Sequence, residues 1–283
     1  MEAKKRDRTE PKLGLHYELV NTRHGRFLAN PNDTYIGRAL VDYGEFSELE
    51  SQVLLQLLPA GGTAVEVGAN IGAHTIALAR KAGQNGRIYA FEPQPVIFQN
   101  LCANLALNGL TNVYPHNQAC GSAASKMRFP DINYALKGNF GGVSLEMLPD
   151  VQTGMMIDIV RLDDLGLRRC DLLKIDAEGM EHPVIEGAEQ LIKDCSPILY
   201  VENDRPEKSA ELIKRIQNLG YRAWWHTPPY FNKDNWAKNA ENPWPGVVSV
   251  NTLCVHSARK ANMTGLAEIT SADDRPEKRQ QES

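Results

Sequence analysis

The sequence contains no apolar run approaching the roughly 18 residues that a membrane-spanning helix needs. It has no Cys-x-x-Cys pair. Its five cysteines, Cys102, Cys120, Cys170, Cys195 and Cys254, are odd in number and widely spaced. That pattern argues against a disulfide framework or a zinc knuckle and for reduced, buried thiols. Positive charge is not in excess either: 31 Lys and Arg stand against 35 Asp and Glu, for a net charge of −4. No nucleic-acid partner is expected from that balance. Met1 to Pro11 is charged throughout and lacks the apolar stretch of a secretory leader, so a cytoplasmic location with no membrane partner follows by default. No internal repeat is visible.

What remains is an ordinary globular composition, 42% hydrophobic and 23% charged over 283 residues. The expected organisation is a flexible tail at 1–12, a single domain at 13–256 and a disordered polar tail at 257–283. Within the domain, 13–58 forms an N-terminal extension and helix. Ser47-Glu48-Leu49-Glu50 fits a capping box, followed by Leu49, Val53, Leu54, Leu57 and Leu58 at helical spacing. Strand and helix then alternate. Strands are expected at Thr63–Val67, Arg87–Phe91, Asn112–His116, Met155–Val160, Asp171–Ile175, Ile198–Val201, Tyr221–Trp225 and Val247–Val255. Helices are expected at Ala73–Ala82, Gln94–Asn108, Pro183–Ile192 and Pro206–Leu219, with an irregular Gly-rich stretch at 122–150. Short apolar strands alternating with helices predict a parallel sheet covered on both faces. The segment 227–246, with Tyr230, Phe231, Trp236, Trp244 and four prolines, is too long and distinctive for a plain connection. It is read as an acceptor lid or, equally, as a hydrophobic plug.

The sharpest local signal is Val65-Glu66-Val67-Gly68-Ala69-Asn70-Ile71-Gly72, where the first core strand turns into a helix. Gly68 and Gly72 permit a tight turn and close approach of a ligand. Asn70 stands where a nicotinamide-binding Gly-x-Gly-x-x-Gly loop would have its middle glycine, and acidic Glu66 precedes the loop. An anion there suits the ammonium and sulfonium of S-adenosylmethionine (SAM) better than a pyrophosphate, and Glu66 is assigned to the amino-acid end. Glu92 ends the second strand, 24 residues after Gly68, where an acidic side chain accepts ribose hydroxyls.

Those residues, with Phe91-Glu92-Pro93-Gln94-Pro95, Asn104-Leu105-Ala106-Leu107-Asn108-Gly109, Arg161-Leu162-Asp163-Asp164-Leu165, Asp171 through Glu181 and Gly187-Ala188, resemble the FkbM family of methyltransferases over roughly residues 45–205. The resemblance implies a Rossmann-like class I methyltransferase fold with a seven-stranded, mostly parallel sheet, its last strand antiparallel, and helices on both faces. It also implies SAM as donor, S-adenosylhomocysteine as product, and most often O-methylation of sugars or natural products. Glu66 stands where the family often has Asp. Adenine is expected near Gln118 to Cys120, with Gln118 at the ring edge.

A hydroxyl acceptor needs a base as well as a positioned methyl donor. Asp176, which also borders the cofactor, His182 and Glu202 are the catalytic candidates. Glu178, Asn203, His226 and Asn235 are candidates for holding a small-molecule or carbohydrate acceptor. Lys174, inside a strand, is read as an ion pair or snorkelling contact, and His74 as packing. A divalent cation such as Mg²⁺ on Asp176, Glu202 and Asn203 is the less favoured alternative, and no metal is assigned. The main expectation is O-methylation. N-methylation of an amine or peptide, a non-catalytic SAM-binding protein and a nicotinamide oxidoreductase are the rivals, the last disfavoured by Glu66 and the missing glycine.

Overall fold

The computed structural model describes residues 17–145, 153–260 and 263–276. The expected tail at 1–12, and residues 261–262 and 277–283 of the one expected at 257–283, lie outside the described residues. A hairpin of β1 (Glu18–Asn21) and β2 (Arg26–Ala29) leads into α1 (Ile36–Tyr43) and α2 (Glu48–Leu57). Then come β3 (Thr63–Val67), α3 (Ala73–Ala82), β4 (Arg87–Phe91), α4 (Pro95–Leu107) and β5 (Val113–His116). The strands β6 (Gln118–Cys120), β7 (Ser125–Phe129) and β8 (Met155–Val160) form a small separate sheet. The chain continues through β9 (Leu172–Ile175), α5 (Glu181–Glu186), α6 (Glu189–Cys195), β10 (Ile198–Glu202), α7 (Pro206–Asn218), β11 (Tyr221–His226), β12 (Asn251–His256) and β13 (Ala267–Ile269).

The main sheet has the order β13-β11-β12-β10-β9-β3-β4-β5. The block from β10 to β5 is parallel, and β12 lies antiparallel between β10 and β11. This is the mostly parallel, doubly covered architecture that the resemblance implies. On one face, Ala64, Leu172 and Tyr200 pack with Leu54, Ile76 and Leu101 of the first three large helices. On the other, Val65, Leu173 and Val201 pack with Val184, Ile192, Leu212 and Ile213. Both faces being covered explains why β3 and β9 are buried along their whole length.

The sheet has eight strands rather than seven. The extra one, β13, falls in the segment expected to be disordered. It pairs antiparallel with β11, which would otherwise be an open edge. One inward residue, Ile269 at 3% exposure, and the Arg222–Glu268 ion pair at 2.7 Å hold it. A three-residue strand with one apolar anchor leaves little trace in composition.

Two local expectations also change. Ser47 does not cap α2 by accepting an amide. It sits in the left-handed region with φ 43°, and its hydroxyl donates to Glu50 Oε2 at 3.0 Å. Glu50 turns inward, also accepting from Ser249 Oγ at 3.1 Å. The helix expected over 183–192 is broken at Gly187-Ala188 into α5 and α6. A Cβ on Gly187 would stand 2.0 Å from the Gly121 carbonyl oxygen, so the backbones touch there. Asp163 then caps α6, accepting from the Gln190 and Leu191 amides at 3.2 and 2.9 Å.

The N-terminal extension packs on α4. Asn104, fully buried, accepts from the Leu28 amide at 2.7 Å and donates to the Ile71 carbonyl at 2.9 Å. It thereby joins hairpin, helix and the loop after β3. The segment 227–246 is bolted to the same extension. Tyr230, Phe231 and Trp244 form an aromatic cluster with Tyr35, Ala39 and Tyr43. Buried Glu45 accepts from Arg23 Nε, Asn232 Nδ2 and the Trp236 amide, each at 2.8 Å. Removing its carboxylate strands these donors, at about 1–3 kcal/mol for a buried group left unpaired. A Glu45→Ala variant is expected to lose about 2–3 kcal/mol of stability in urea unfolding. A loss within experimental error would show that the junction contributes little.

Candidate active site

The strand order reverses between β3 and β9: from β3 the chain proceeds to β4 and β5, and from β9 to β10. In open α/β sheets ligands gather at such a switch point, beyond the carboxyl ends of the strands. A cleft of about 460 Å³ opens there, lined by Gly68, Glu92, Gln118, Asp176 and Glu178 together with apolar Val143, Leu145 and Met180.

Gly68 makes the cleft's floor. Its φ is +81°, and a Cβ would lie 1.8 Å from the Asp176 carbonyl oxygen. The Asp176 amide in turn donates to the Val67 carbonyl at 3.0 Å. Only glycine lets the ends of β3 and β9 approach this closely. At the end of β4, Glu92 is 3% exposed and accepts from the Asn70 and Gln94 amides, both at 2.9 Å. Each oxygen retains acceptor capacity toward the cleft. Asn70 itself has φ 49° and uses its Oδ1 to accept from the Ile71 amide at 2.8 Å, while Gly72 caps α3. Both residues shape the loop between β3 and α3, and neither lines the cleft.

Glu66 is also absent from the cleft lining. It is 1% exposed and accepts from Thr75 Oγ1 at 2.7 Å. It stands in register with Lys174 of β9. Lys174 is 2% exposed and donates to Asp176 Oδ2 at 3.1 Å, so the ion-pair reading describes it. Burial alone would lower its pKa, but Asp176, Glu66 and Glu50 raise it above the ordinary lysine value. His74 is buried, with its pKa lowered to about 3 by burial and by Lys174. It lies 2.9 Å from Ser51 Oγ, as a neutral packing group.

At the acceptor side, Asp176, Glu178 and Glu202 come together, each offering an oxygen within 4.8 Å of the others. Glu178 has φ 52° and is paired with Arg205 at 3.0 Å. Burial and the surrounding carboxylates raise the pKa of Glu178 and of Glu202. Asn203 is 7% exposed, its amide donating to the Val250 carbonyl at 2.8 Å. Glu202, Asn251 and His226 face one another across three strands, and His226 Nδ1 lies 2.7 Å from the Tyr200 hydroxyl.

Two expected residues stand elsewhere. His182 is half-buried in the first turn of α5 and does not line the cleft. Asn235 is 1% exposed; its amide donates to the Asn232 and Asn239 carbonyls and its oxygen accepts from the Asn239 amide. All of its side-chain polar atoms hold the loop together.

The sequence reading missed Gln94. Its Nε2 donates to the Phe140 carbonyl at 2.6 Å, and its Oε1 accepts from the Tyr134 hydroxyl at 3.1 Å. It thereby ties the stretch that carries Val143 over the cleft. The Phe91-Glu92-Pro93-Gln94 string was the available signal, but within it Gln94 itself read only as a helix start.

Burial raises the carboxyl groups of Glu66 and Glu92 to about 7. Lys174 and Thr75 oppose that rise at Glu66, and two backbone amides oppose it at Glu92. Both groups titrate near 4.5 in the unfolded chain. Between these values the folded state binds more protons, so their contribution to stability is full below about 4.5 and is lost as pH rises through about 7. A Glu66→Gln variant is expected to lose less stability than the wild type between pH 5 and 8 in guanidinium unfolding. Parallel pH profiles would refute the assignment.

Residues 66–223, more than half of the chain, match the methyltransferase FkbM domain. The methyltransferase sdnD of Sordaria araneosa is 32% identical over 167 residues, covering 47% of this chain and 62% of that protein. Methyltransferase 1 of Beauveria bassiana is 27% identical over 157 residues, covering 49% and 63%. The chain thus spans a little under two thirds of the length of these relatives. A methyltransferase FkbM structure from Methylobacillus flagellatus KT superposes with a TM-score of 0.47 at 16% identity, covering 78% of this chain and 55% of that one. No helix among the described residues is long and apolar enough to cross a membrane. With the domain matched across the cleft-bearing core, the chain belongs to the FkbM family of methyltransferases.

Proposed function

We propose that the protein transfers a methyl group from SAM to a hydroxyl of a sugar-containing or small natural-product acceptor. The observation that carries this reading is Glu92: a buried carboxylate at the end of β4, fixed by two amides, lining the same cleft as Gly68 and Asp176. That placement suits the two ribose hydroxyls of a nucleoside. Pro93, Ala119, Val143 and Leu145 offer apolar faces for adenine, with Gln118 at the rim as a donor and acceptor. SAM supplies a methyl group already activated on a sulfonium.

The chain's own task is to orient the acceptor, exclude water and remove a proton. Gly68 and the Asp176 backbone set the floor against which the donor lies. Asp176 lines the cleft and accepts a hydrogen bond from the acceptor hydroxyl, whose proton passes to the carboxylates at these strand ends as the O–C bond forms. Asn203 and His226 border the same strand ends and serve to orient the acceptor.

Calorimetric titration with SAM and S-adenosylhomocysteine is the primary test. Wild type is expected to bind both, and Glu92→Ala to weaken each about 10- to 100-fold, the worth of hydrogen bonds to a charged group. Transfer of labelled methyl to a panel of polyhydroxylated acceptors, alongside amines, then separates O- from N-methylation. Folded wild type that binds neither nucleoside would overturn the proposal.

A further inference from the structure

Four carboxylates, Asp176, Glu178, Glu202 and Asp204, crowd the ends of β9 and β10, with Lys174, Arg205 and Lys208 as the neighbouring cations. Lys174 serves Asp176 at 3.1 Å, and Arg205 serves Glu178 at 3.0 Å and Asp204 at 3.8 Å. Glu202 Oε2 is buried and has no hydrogen-bond partner among the described residues. The adjacent Asn203, 7% exposed, likewise leaves its buried side-chain nitrogen without one. A buried carboxylate oxygen and a buried amide donor, both unsatisfied and consecutive in the chain, each cost stability unless a ligand meets them. The oxygen calls for a cation or a proton. The amide calls for an oxygen, such as a metal-bound water.

We propose that Asp176, Glu178 and Glu202 bind one hard divalent cation at the edge of the cleft. Their three oxygens lie within 4.8 Å of one another. Oxygens that ligate one Mg²⁺ or Ca²⁺ at about 2.0–2.6 Å cannot stand more than about 5 Å apart, so the spacing fits a single ion. A proton would relieve one carboxylate, whereas a cation relieves all three and leaves coordination positions open to water or to an acceptor oxygen. The donor set is all oxygen, with no sulfur or imidazole in the cluster, which selects Mg²⁺, Mn²⁺ or Ca²⁺ over zinc. Asp176 and Glu178 line the cleft while Glu202 does not, so the ion sits at its acceptor side. Binding of the ion does not depend on which acceptor is methylated.

Mn²⁺ serves as the probe, followed by electron paramagnetic resonance on the full chain after chelator treatment. One Mn²⁺ per chain is expected, displaced by Mg²⁺. Affinity should fall at least tenfold in Glu202→Gln and in Glu178→Gln, and remain unchanged in Glu211→Gln, an exposed control on α7. Thermal unfolding of the metal-free variants checks that the loss is not misfolding; Glu202→Gln, which removes a repelling charge, is expected to melt no lower than wild type. Absence of saturable Mn²⁺ binding in folded wild type, or titrations of both cluster variants that superimpose on it, would overturn the site. SAM titration of the same samples in chelator reports separately on the cofactor. SAM binding without Mn²⁺ binding sinks only the cation site, and Mn²⁺ binding without SAM binding sinks only the cofactor reading.

Discussion

A charged ammonium in the middle of a covered sheet is the constraint around which this fold is arranged. Lys174 stands in register with Glu66 on one neighbouring strand and Tyr200 on the other, and none of the three has appreciable exposure. A one-residue slip of β9 would turn Lys174 onto the apolar face packed with Val184 and Leu212, away from the charges of Glu66 and Glu50, so β9 cannot slip past β3 without heavy loss. The Lys174–Asp176 bond also fixes where β9 ends. That end meets Gly68, whose missing side chain lets two strand termini touch and leaves a floor for the cleft. Register, loop and cleft therefore share one electrostatic anchor.

Much of this was written in the chain. The strands at 63–67 and 87–91 are where apolar runs and turn residues put them, because a strand buried on both faces leaves a compositional mark. Glu92 was legible from its distance to the glycine loop, and Asp176 and Glu202 from their places at strand ends. Side-chain direction was not. Glu66 and Asn70 belong to the loop motif, yet their side-chain oxygens accept from Thr75 Oγ1 and the Ile71 amide, and Ser47 reads as a cap while its hydroxyl goes to Glu50. Asn235 offered acceptor chemistry by type but spends it on its own loop. In each case a long-range or loop-closing contact decided the outcome, and periodicity carries no information about such contacts. The break at Gly187 has the same origin: it is set by the Gly121 carbonyl, more than sixty residues earlier.

The raised carboxyl groups have a common cause. The network of Glu50, Glu66, Glu92, Glu178 and Glu202 concentrates acid near one buried lysine, and burial dominates every one of those shifts. Such a region is held in place by the packed helices on both sides and by the sheet beneath it, with Lys174 offsetting part of its charge. It is expensive to keep, and the rest of the core offsets it.

The junction at Glu45 has a consequence for how relatives diverge. The shared family domain begins at 66 and ends at 223, so both partners in that junction, the extension before 46 and the loop at 227–246, fall outside it. They lie almost two hundred positions apart, yet one carboxylate reads the amide of Trp236 and the side chains of Arg23 and Asn232 together. Neither segment is then free to drift alone. Changes at one end of the gene must be answered at the other, and a chimera that grafts a new loop onto this core would need to bring its own amino-terminal hairpin with it.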